Sequence, residues 1–198
     1  TVRYVYRNHD EQWQNLKELD GADISKFSPL GFGEDPDWLY FIDQYHGKAA
    51  LFKQNLEHTA SQPELIYADP NYDVDGRLIY ASDHKRVIGI SYTADSRKRV
   101  YWNSDTERLQ RQIDLALPNR GNTIITSRNK QHIVLSSSSD FAPVYYWFDE
   151  RTNGIKELIK TYPELDSSVL VKTKLIHFNT RDGLPLEGYL TKSSKRVS

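Results

Sequence analysis

The chain has 198 residues, with 26 basic and 27 acidic side chains and a formal net charge of -1, and this balance argues against a nucleic-acid partner. It has no cysteine, which excludes disulfides, thiolate metal sites and cysteine nucleophiles. No apolar run approaches the roughly 18 residues that a membrane-spanning helix needs, so we predict no membrane partner. Because the sequence also lacks methionine, we expect it to be a segment of a longer protein.

The first twenty residues predict two strands. Aromatic and apolar side chains alternate with polar ones from Val2 to Tyr6, a turn-forming segment follows, and a second strand covers residues 13–19. The alternative is a short helix starting at Asp10, because Trp13, Leu16 and Leu19 are spaced by three. Residues 21–37 are rich in glycine and proline and predict a loop.

A series of short apolar or aromatic runs predicts the remaining strands up to residue 159. These runs are residues 38–42, 49–53, 64–68, 78–81, 87–92, 99–102, 123–126, 132–136, 144–148 and 155–159. Leu39, Leu78 and Ile133 occupy similar places in successive sets, at separations of 39 and 55 residues that bracket the length of a four-stranded propeller blade. We therefore predict an all-β fold, a partial β-propeller of about three to four blades.

One helix is predicted between the strand sets, near residues 105–117. Leu109, Ile113, Ala116 and Leu117 fall on one apolar face of this segment, and the sequence Pro-Asn-Arg-Gly ends it at residues 118–121. An amphipathic helix at this point is expected to cover the edge or face of a blade.

A β-hairpin is predicted close to the end of the chain, within residues 172–190. Ile176 and Phe178 alternate with polar neighbours, and leucines continue the same period of two from Leu184 to Leu190. Between the two runs, Asp182 and Gly183 are suited to a tight turn, since glycine tolerates a positive φ.

The sequence contains residue types that can bind metals or act as nucleophiles, but they lack the spacing that such sites require. The six histidines (His9, His46, His58, His84, His132 and His177) show no metal-ligand spacing, so we assign them structural or solvated roles. The run 136–139 of serines lacks flanking glycines and predicts a polar turn after a strand. The segment with Asp69, Asp73 and Asp75 predicts a turn rather than a calcium loop, because Tyr80 stands where an EF-hand has glutamate. We predict no catalytic, cofactor-binding or metal-binding residue and no cofactor.

Three motifs in the last quarter of the chain resemble a known junction. They are YYWFDERTNGIKELI at 145–159, TYPEL at 161–165 and HFNTRDGLPLEGYLTK at 177–192. In this order they resemble the passage from propeller to hydrolase domain in the prolyl oligopeptidase family of serine peptidases, especially its acylaminoacyl-peptidase and dipeptidyl-aminopeptidase-like branch. Residues 87–105 also resemble this branch. The sequence departs from the family after Lys192, where a proline usually follows and KSSKRVS stands instead.

The resemblance implies a domain division and a parent activity. Residues 1–165 would form a partial β-propeller, and residues 166–198 the linker and first hairpin of a truncated α/β-hydrolase domain. The family hydrolyses peptide bonds with a Ser-Asp-His triad whose serine lies in a G-x-S-x-G motif. That motif does not occur in this sequence, so no catalytic residue is carried over and only the parent is expected to be an enzyme. The propeller would gate access of short peptide substrates to the catalytic domain.

Two other functions remain open. A free-standing propeller-like binding or scaffold module would have no enzymatic activity, and a metal-dependent propeller lactonase is disfavoured by the absence of clustered ligand residues in the sequence. An incomplete propeller leaves blade edges and faces uncovered, so we also expect homo-oligomers through these edges. The sequence leaves the compartment, cytoplasmic or periplasmic, undecided.

Overall fold

The computed structural model describes residues 1–58, 62–138, 141–165 and 170–192. The chain divides into two compact units, Thr1–Asn103 and Ser104–Ser198. Within the described residues, α-helix is confined to one segment and the rest of the regular structure is almost entirely antiparallel strand, which confirms the predicted all-β, partial propeller-like fold with one helix. None of the helices described has the length and apolar character needed to cross a membrane. The predicted boundary at residue 165 adjoins residues outside the description and stays a prediction.

The first unit contains three antiparallel sheets built from neighbouring strands. The first sheet pairs β1 (Val2–Arg7) with β2 (Trp13–Leu19). The second has the order β3 (Ser28–Phe32), β4 (Trp38–Tyr45), β5 (Lys48–Asn55), β6 (Glu64–Tyr67), and the third the order β7 (Arg77–Tyr80), β8 (Val87–Thr93), β9 (Arg97–Tyr101). The predicted strand pair in the first twenty residues is therefore confirmed, and the alternative helix from Asp10 is wrong.

Strand β3 lies in the segment that the sequence predicted to be loop. A short 3-10 helix, Gly21–Lys26, precedes it, and among the described strands β3 pairs with β4 alone. Pro29 is tolerated because an edge strand leaves one side of its backbone unpaired. Gly31, with a φ of 153°, lies at the shift in register after Pro29, where a glycine accommodates the irregular backbone. Pro29 and Gly31, which signal a loop in the sequence, thus belong to an irregular edge strand.

Both faces of the second sheet are buried, which explains its aromatic sequence. Leu39 and Phe41 of β4 join one cluster with Phe27 and Leu56, against which Tyr4 and Tyr6 of the first sheet pack. The alternate residue Ile42 joins a second cluster with Leu51 of β5 and Ile90 and Tyr92 of β8. A strand covered on both sides has no polar face, so its sequence reads as a continuous apolar run.

The second unit contains the helix and two further sheets. Helix α1 (Ser104–Ala116) precedes a four-stranded sheet of β10 (Gly121–Arg128), β11 (Gln131–Ser138), β12 (Phe141–Asp149) and β13 (Gly154–Lys160). Strands β14 (Lys174–Asn179) and β15 (Pro185–Leu190) form a separate pair. Leu39 and Ile133 both lie in the second strand of a four-stranded sheet, whereas Leu78 lies in the first strand of the third sheet, so the three are not all equivalent as predicted.

The helix packs on its sheet through most of the predicted face. Leu109, Ile113 and Leu117 are buried with Val134 and Phe148. Ala116 is exposed, contrary to the prediction. Gln110 is buried instead, because its Nε2 donates to the backbone oxygen of Asn122 at 3.0 Å.

The hairpin at the end of the described chain forms as predicted. Gly183 has a φ of 86° in the turn, and its amide donates to the oxygen of Thr180 at 3.0 Å. Alternation of apolar and polar residues is typical of a half-buried strand, yet Ile176 and Phe178 are exposed in the described structure, at 37% and 48%. The hairpin therefore presents apolar surface that none of the described residues covers.

Candidate functional site

Three side chains from separate turns meet in the first unit. His9 lies between β1 and β2, Asp37 immediately before β4, and Glu57 just after β5. His9 Nε2 lies 2.5 Å from Asp37 Oδ1 and 3.9 Å from Glu57 Oε1. We refer to His9, Asp37 and Glu57 as the turn cluster. It combines one imidazole nitrogen with two carboxylates, a set that can hold either a proton or a cation.

Side-chain caps fix the backbone of the first two of these turns. Asn8 Oδ1 accepts the amide of Gln12 at 2.8 Å, and the oxygen of Asn8 accepts the amide of Glu11 at 3.0 Å. Asp35 Oδ1 accepts the amide of Asp37 at 2.9 Å. Asparagine and aspartate commonly stabilise turns in this way, because the side chain takes the place of a backbone acceptor.

Further hydrogen bonds connect the three turns to one another. The amide of Leu56 donates to the oxygen of Asp37 at 2.8 Å, which joins the end of β5 to the turn before β4. Tyr6 Oη donates to the oxygen of Leu56 at 2.9 Å, which joins the first sheet to the second. The amide of Glu57 donates to Asn55 Oδ1 at 2.9 Å. These hydrogen bonds therefore hold the backbone near Asp37 and Glu57 in place.

A cleft of about 760 Å³ lies over the turn cluster, and all three of its side chains line it together with Asp10 and His58. The hydrogen bond and charge of Asp37 raise the pKa of His9 above its ordinary value. His9 is 61% exposed and Asp37 24% exposed, so this pair stands at the wall of the cleft and in contact with solvent. Exposed ion pairs contribute little to stability, so stability alone does not account for the arrangement.

A second polar group is buried between the second and third sheets. Tyr92 Oη donates to Asp69 Oδ2 at 2.5 Å, and Tyr67 Oη lies 3.1 Å from Tyr92 Oη. Asp69 Oδ1 accepts the amides of Asn71 and Tyr72 at 2.9 and 3.2 Å. The bond from Tyr92, followed by these amides, lowers the pKa of Asp69 below its ordinary value, while burial raises the pKa of Tyr92. Asp69 therefore serves as a buried, ionised anchor.

Asp69, Asp73 and Asp75, which lie in the segment compared with a calcium loop, have different surroundings in the structure. Asp69 bonds to Tyr92, as above, and Asp73 Oδ1 accepts the amide of Ala49 at 2.7 Å. Asp75 lines a smaller cleft of about 500 Å³, beside Arg77 and Arg97. Their contacts are those of turn and strand residues, in keeping with the predicted turn.

In the second unit, His132 is buried in the sheet, with 3% of its surface exposed. Among the described residues neither ring nitrogen has a hydrogen-bond partner of good geometry, and the carboxylate of Glu150 lies 3.5 Å from Nε2. Burial lowers the pKa of His132 below its ordinary value, and this effect outweighs that of the Glu150 carboxylate, which raises the pKa. His132 is therefore a buried residue of the sheet, and its structural role stays a prediction.

The serine run does not form a polar turn as predicted. Ser136 lies inside β11, fully buried, and its Oγ donates to Asn122 Oδ1 at 2.6 Å. Ser138 ends the strand, and Ser139 lies outside the described residues. The buried hydroxyl is accepted in the sheet because Asn122 satisfies it.

Metal-ligand spacing in the sequence does not reveal the turn cluster, because its residues lie far apart along the chain. His9 and Asp37 are 28 residues apart, and Asp37 and Glu57 lie on either side of two paired strands. The available signal was weaker: Asp37 comes just before a predicted strand and Glu57 follows the next, and the open ends of two paired antiparallel strands lie side by side. His9 joins them only because the first sheet packs against the second.

Comparison with known proteins shows a similarity of fold and does not show membership of a family. No protein-family model matches the sequence, and a search of curated proteins finds no significant match. Among solved structures, a Mycobacterium tuberculosis puromycin-hydrolyzing peptidase is similar, with a TM-score of 0.55 and 15% sequence identity over 90% of this chain. The chain spans 27% of the length of that peptidase. At this identity the similarity shows that the chain shares its β-sheet fold with part of a peptidase.

Proposed function

We propose that this chain is the propeller portion of a serine peptidase of the prolyl oligopeptidase family, with the hydrolytic residues on a domain outside the sequence. The observation that carries the proposal is the structural similarity to a peptidase across 90% of the chain. The motif resemblance between residues 145 and 192 points independently to the same enzymes.

The exposed hairpin supports this proposal. Cross-strand partners such as Phe178 and Leu186 are 48% and 38% exposed, and Tyr189 is 62% exposed. A two-stranded sheet with apolar side chains in solvent is marginal by itself, and packing against further structure would stabilise it. The first hairpin of a hydrolase domain would gain such packing from the rest of that domain.

The function proposed for the sheets is to restrict access to the catalytic domain. A propeller placed over an active site admits short peptides and excludes folded proteins by size alone. Peptides would enter the cavity between the domains and react at the serine of the hydrolase domain.

A fluorophosphonate probe tests the proposal, because it labels only an activated serine. The protein encoded by the complete natural gene should be labelled, and this chain should not. The absence of labelling from both would contradict the peptidase assignment and favour a binding module. Labelling of this chain would contradict the location of the nucleophile outside it.

The gating role needs a separate measurement on the labelled full-length protein. kcat/KM should fall steeply as peptide substrates are lengthened around one common cleavable bond. Equal values for a short peptide and for the same bond in an unfolded protein would contradict gating while leaving the peptidase assignment intact.

A further inference from the structure

We propose that the turn cluster is a binding site for a divalent transition-metal ion, with zinc the best match, and that His9 Nε2 and one carboxylate oxygen each from Asp37 and Glu57 are its ligands. This inference does not depend on the peptidase assignment. It departs from the histidine spacing, which predicted no metal ligand.

The chemistry of the three ligands selects the class of metal. Imidazole nitrogen with carboxylate oxygen suits zinc and its neighbours in the first transition series, whereas calcium and magnesium prefer oxygen ligands only. Two carboxylates also offset the charge of a divalent ion. Among the described residues, this is the group of three ligand-type side chains whose donor atoms come within 4.8 Å of one another.

The distances are close to those of a zinc site. Bonds of 2.0–2.2 Å at tetrahedral angles place ligand atoms about 3.4 Å apart. The contact between His9 and Asp37, at 2.5 Å, would have to open by roughly 0.9 Å on this geometry. The separation of His9 and Glu57, at 3.9 Å, would have to close by roughly 0.5 Å. The side chains of His9 and Glu57 are 61% and 56% exposed, so small rotations can make both changes without disturbing the core.

The backbone needs no rearrangement to bind the ion. The hydrogen bonds of Asn8, Asp35 and Asn55 hold the three turns, and the bond from Leu56 to Asp37 holds two of them together. Fixing the ligands in advance reduces the conformational entropy lost on binding.

The cleft leaves room for a fourth ligand. Three protein ligands with an open position are typical of exchangeable or catalytic zinc sites, whereas closed structural sites supply four. The cleft of about 760 Å³ gives the ion access and can hold a water or a small anionic ligand beside it. We therefore assign an open site.

Isothermal titration of chelator-treated chain with zinc chloride tests the proposal. One equivalent should bind, and His9→Ala and Glu57→Gln should each weaken binding by at least about tenfold. His177→Ala is the matched control, because His177 faces Glu187 at 3.5 Å on an exposed hairpin without belonging to the turn cluster. The control should bind zinc as the unchanged chain does.

Thermal unfolding shows whether each variant is folded, so a loss of zinc binding can be told apart from misfolding. At the same zinc concentration, zinc should raise the Tm of the unchanged chain and of the control, and it should raise the Tm of the folded Glu57→Gln variant clearly less, since the stabilisation falls as Kd rises. Absence of stoichiometric binding by the unchanged chain would overturn the proposal. Undiminished binding by both cluster variants, or tighter binding of calcium than of zinc, would overturn it as well.

Discussion

Replacing Tyr92 with phenylalanine probes the buried anchor that joins the second and third sheets. The substitution keeps the ring, which is 1% exposed, and removes the hydroxyl that donates to Asp69 Oδ2 at 2.5 Å. Asp69 is 8% exposed, so water cannot easily replace the lost donor. The amides of Asn71 and Tyr72 remain bonded to the other carboxylate oxygen.

The expected loss is about 2 kcal/mol in the free energy of unfolding, since hydrogen bonds to charged groups contribute roughly 1.5–3 kcal/mol. Tyr67→Phe is the matched control, because it removes a neutral hydroxyl contact of 3.1 Å from the same network. It should cost about 1 kcal/mol, the typical value for a neutral hydrogen bond. Urea unfolding at pH 7, followed by tryptophan fluorescence and circular dichroism, measures both.

The dependence on pH identifies the charged partner. The bond from Tyr92 lowers the folded-state pKa of Asp69, so its stabilisation is present above the unfolded pKa of about 3.9 and is lost as pH falls through the folded value. The difference between the unchanged chain and Tyr92→Phe should therefore be full at pH 7 and shrink below about pH 4. A loss under about 0.5 kcal/mol at pH 7, or a difference that persists unchanged in acid, would refute the reasoning.

Three further substitutions and one control substitution have definite expected outcomes, each measured by urea unfolding. Gly76→Ala should cost at least about 2 kcal/mol, because a Cβ there would lie 1.9 Å from the backbone oxygen of Ser91; a neutral result would contradict the close approach of the strands. Ile113→Ala should cost about 2–5 kcal/mol, whereas Leu115→Ala, on the same helix but 82% exposed, should change stability by less than about 0.5 kcal/mol. Burial lowers the folded pKa of His132, so stability should fall as pH drops below about 6.5, by at most about 1.4 kcal/mol per pH unit. His132→Gln should remove that component, and an unchanged slope would show that other groups cause it.

Local periodicity in the sequence is sufficient to predict much of the secondary structure. The alternation around Ile176 and the turn at Gly183 place the hairpin, and the apolar spacing around Ile113 places the helix, because in both cases the pattern reports interactions between residues close in sequence. The prediction was wrong where tertiary pairing overrides local preference. Pro29 and Gly31 signal a loop, yet the edge of β4 offers them a partner.

The roles of polar residues were much less predictable. Asp69 was recognised only as a turn residue, and its bond to Tyr92 depends on the packing of two sheets. Ser136 was predicted to end a strand and begin a polar turn, whereas it lies inside β11 with its buried hydroxyl bonded to Asn122. Patterns in the sequence indicate which residues are buried, but they do not indicate which buried hydrogen-bond donor pairs with which acceptor.

Composition and local pattern are enough to predict the β-rich character, the inserted helix and the terminal hairpin, and they also carry the resemblance to a peptidase family. These depend on composition and on patterns within about ten to twenty residues. The contact of His9, Asp37 and Glu57, with donor atoms within 4.8 Å of one another, is visible only in the folded chain. Antiparallel pairing of β4 with β5 brings Asp37 close to Glu57, and packing of the first sheet on the second brings His9 to them, so the contact depends on interactions between residues far apart in sequence.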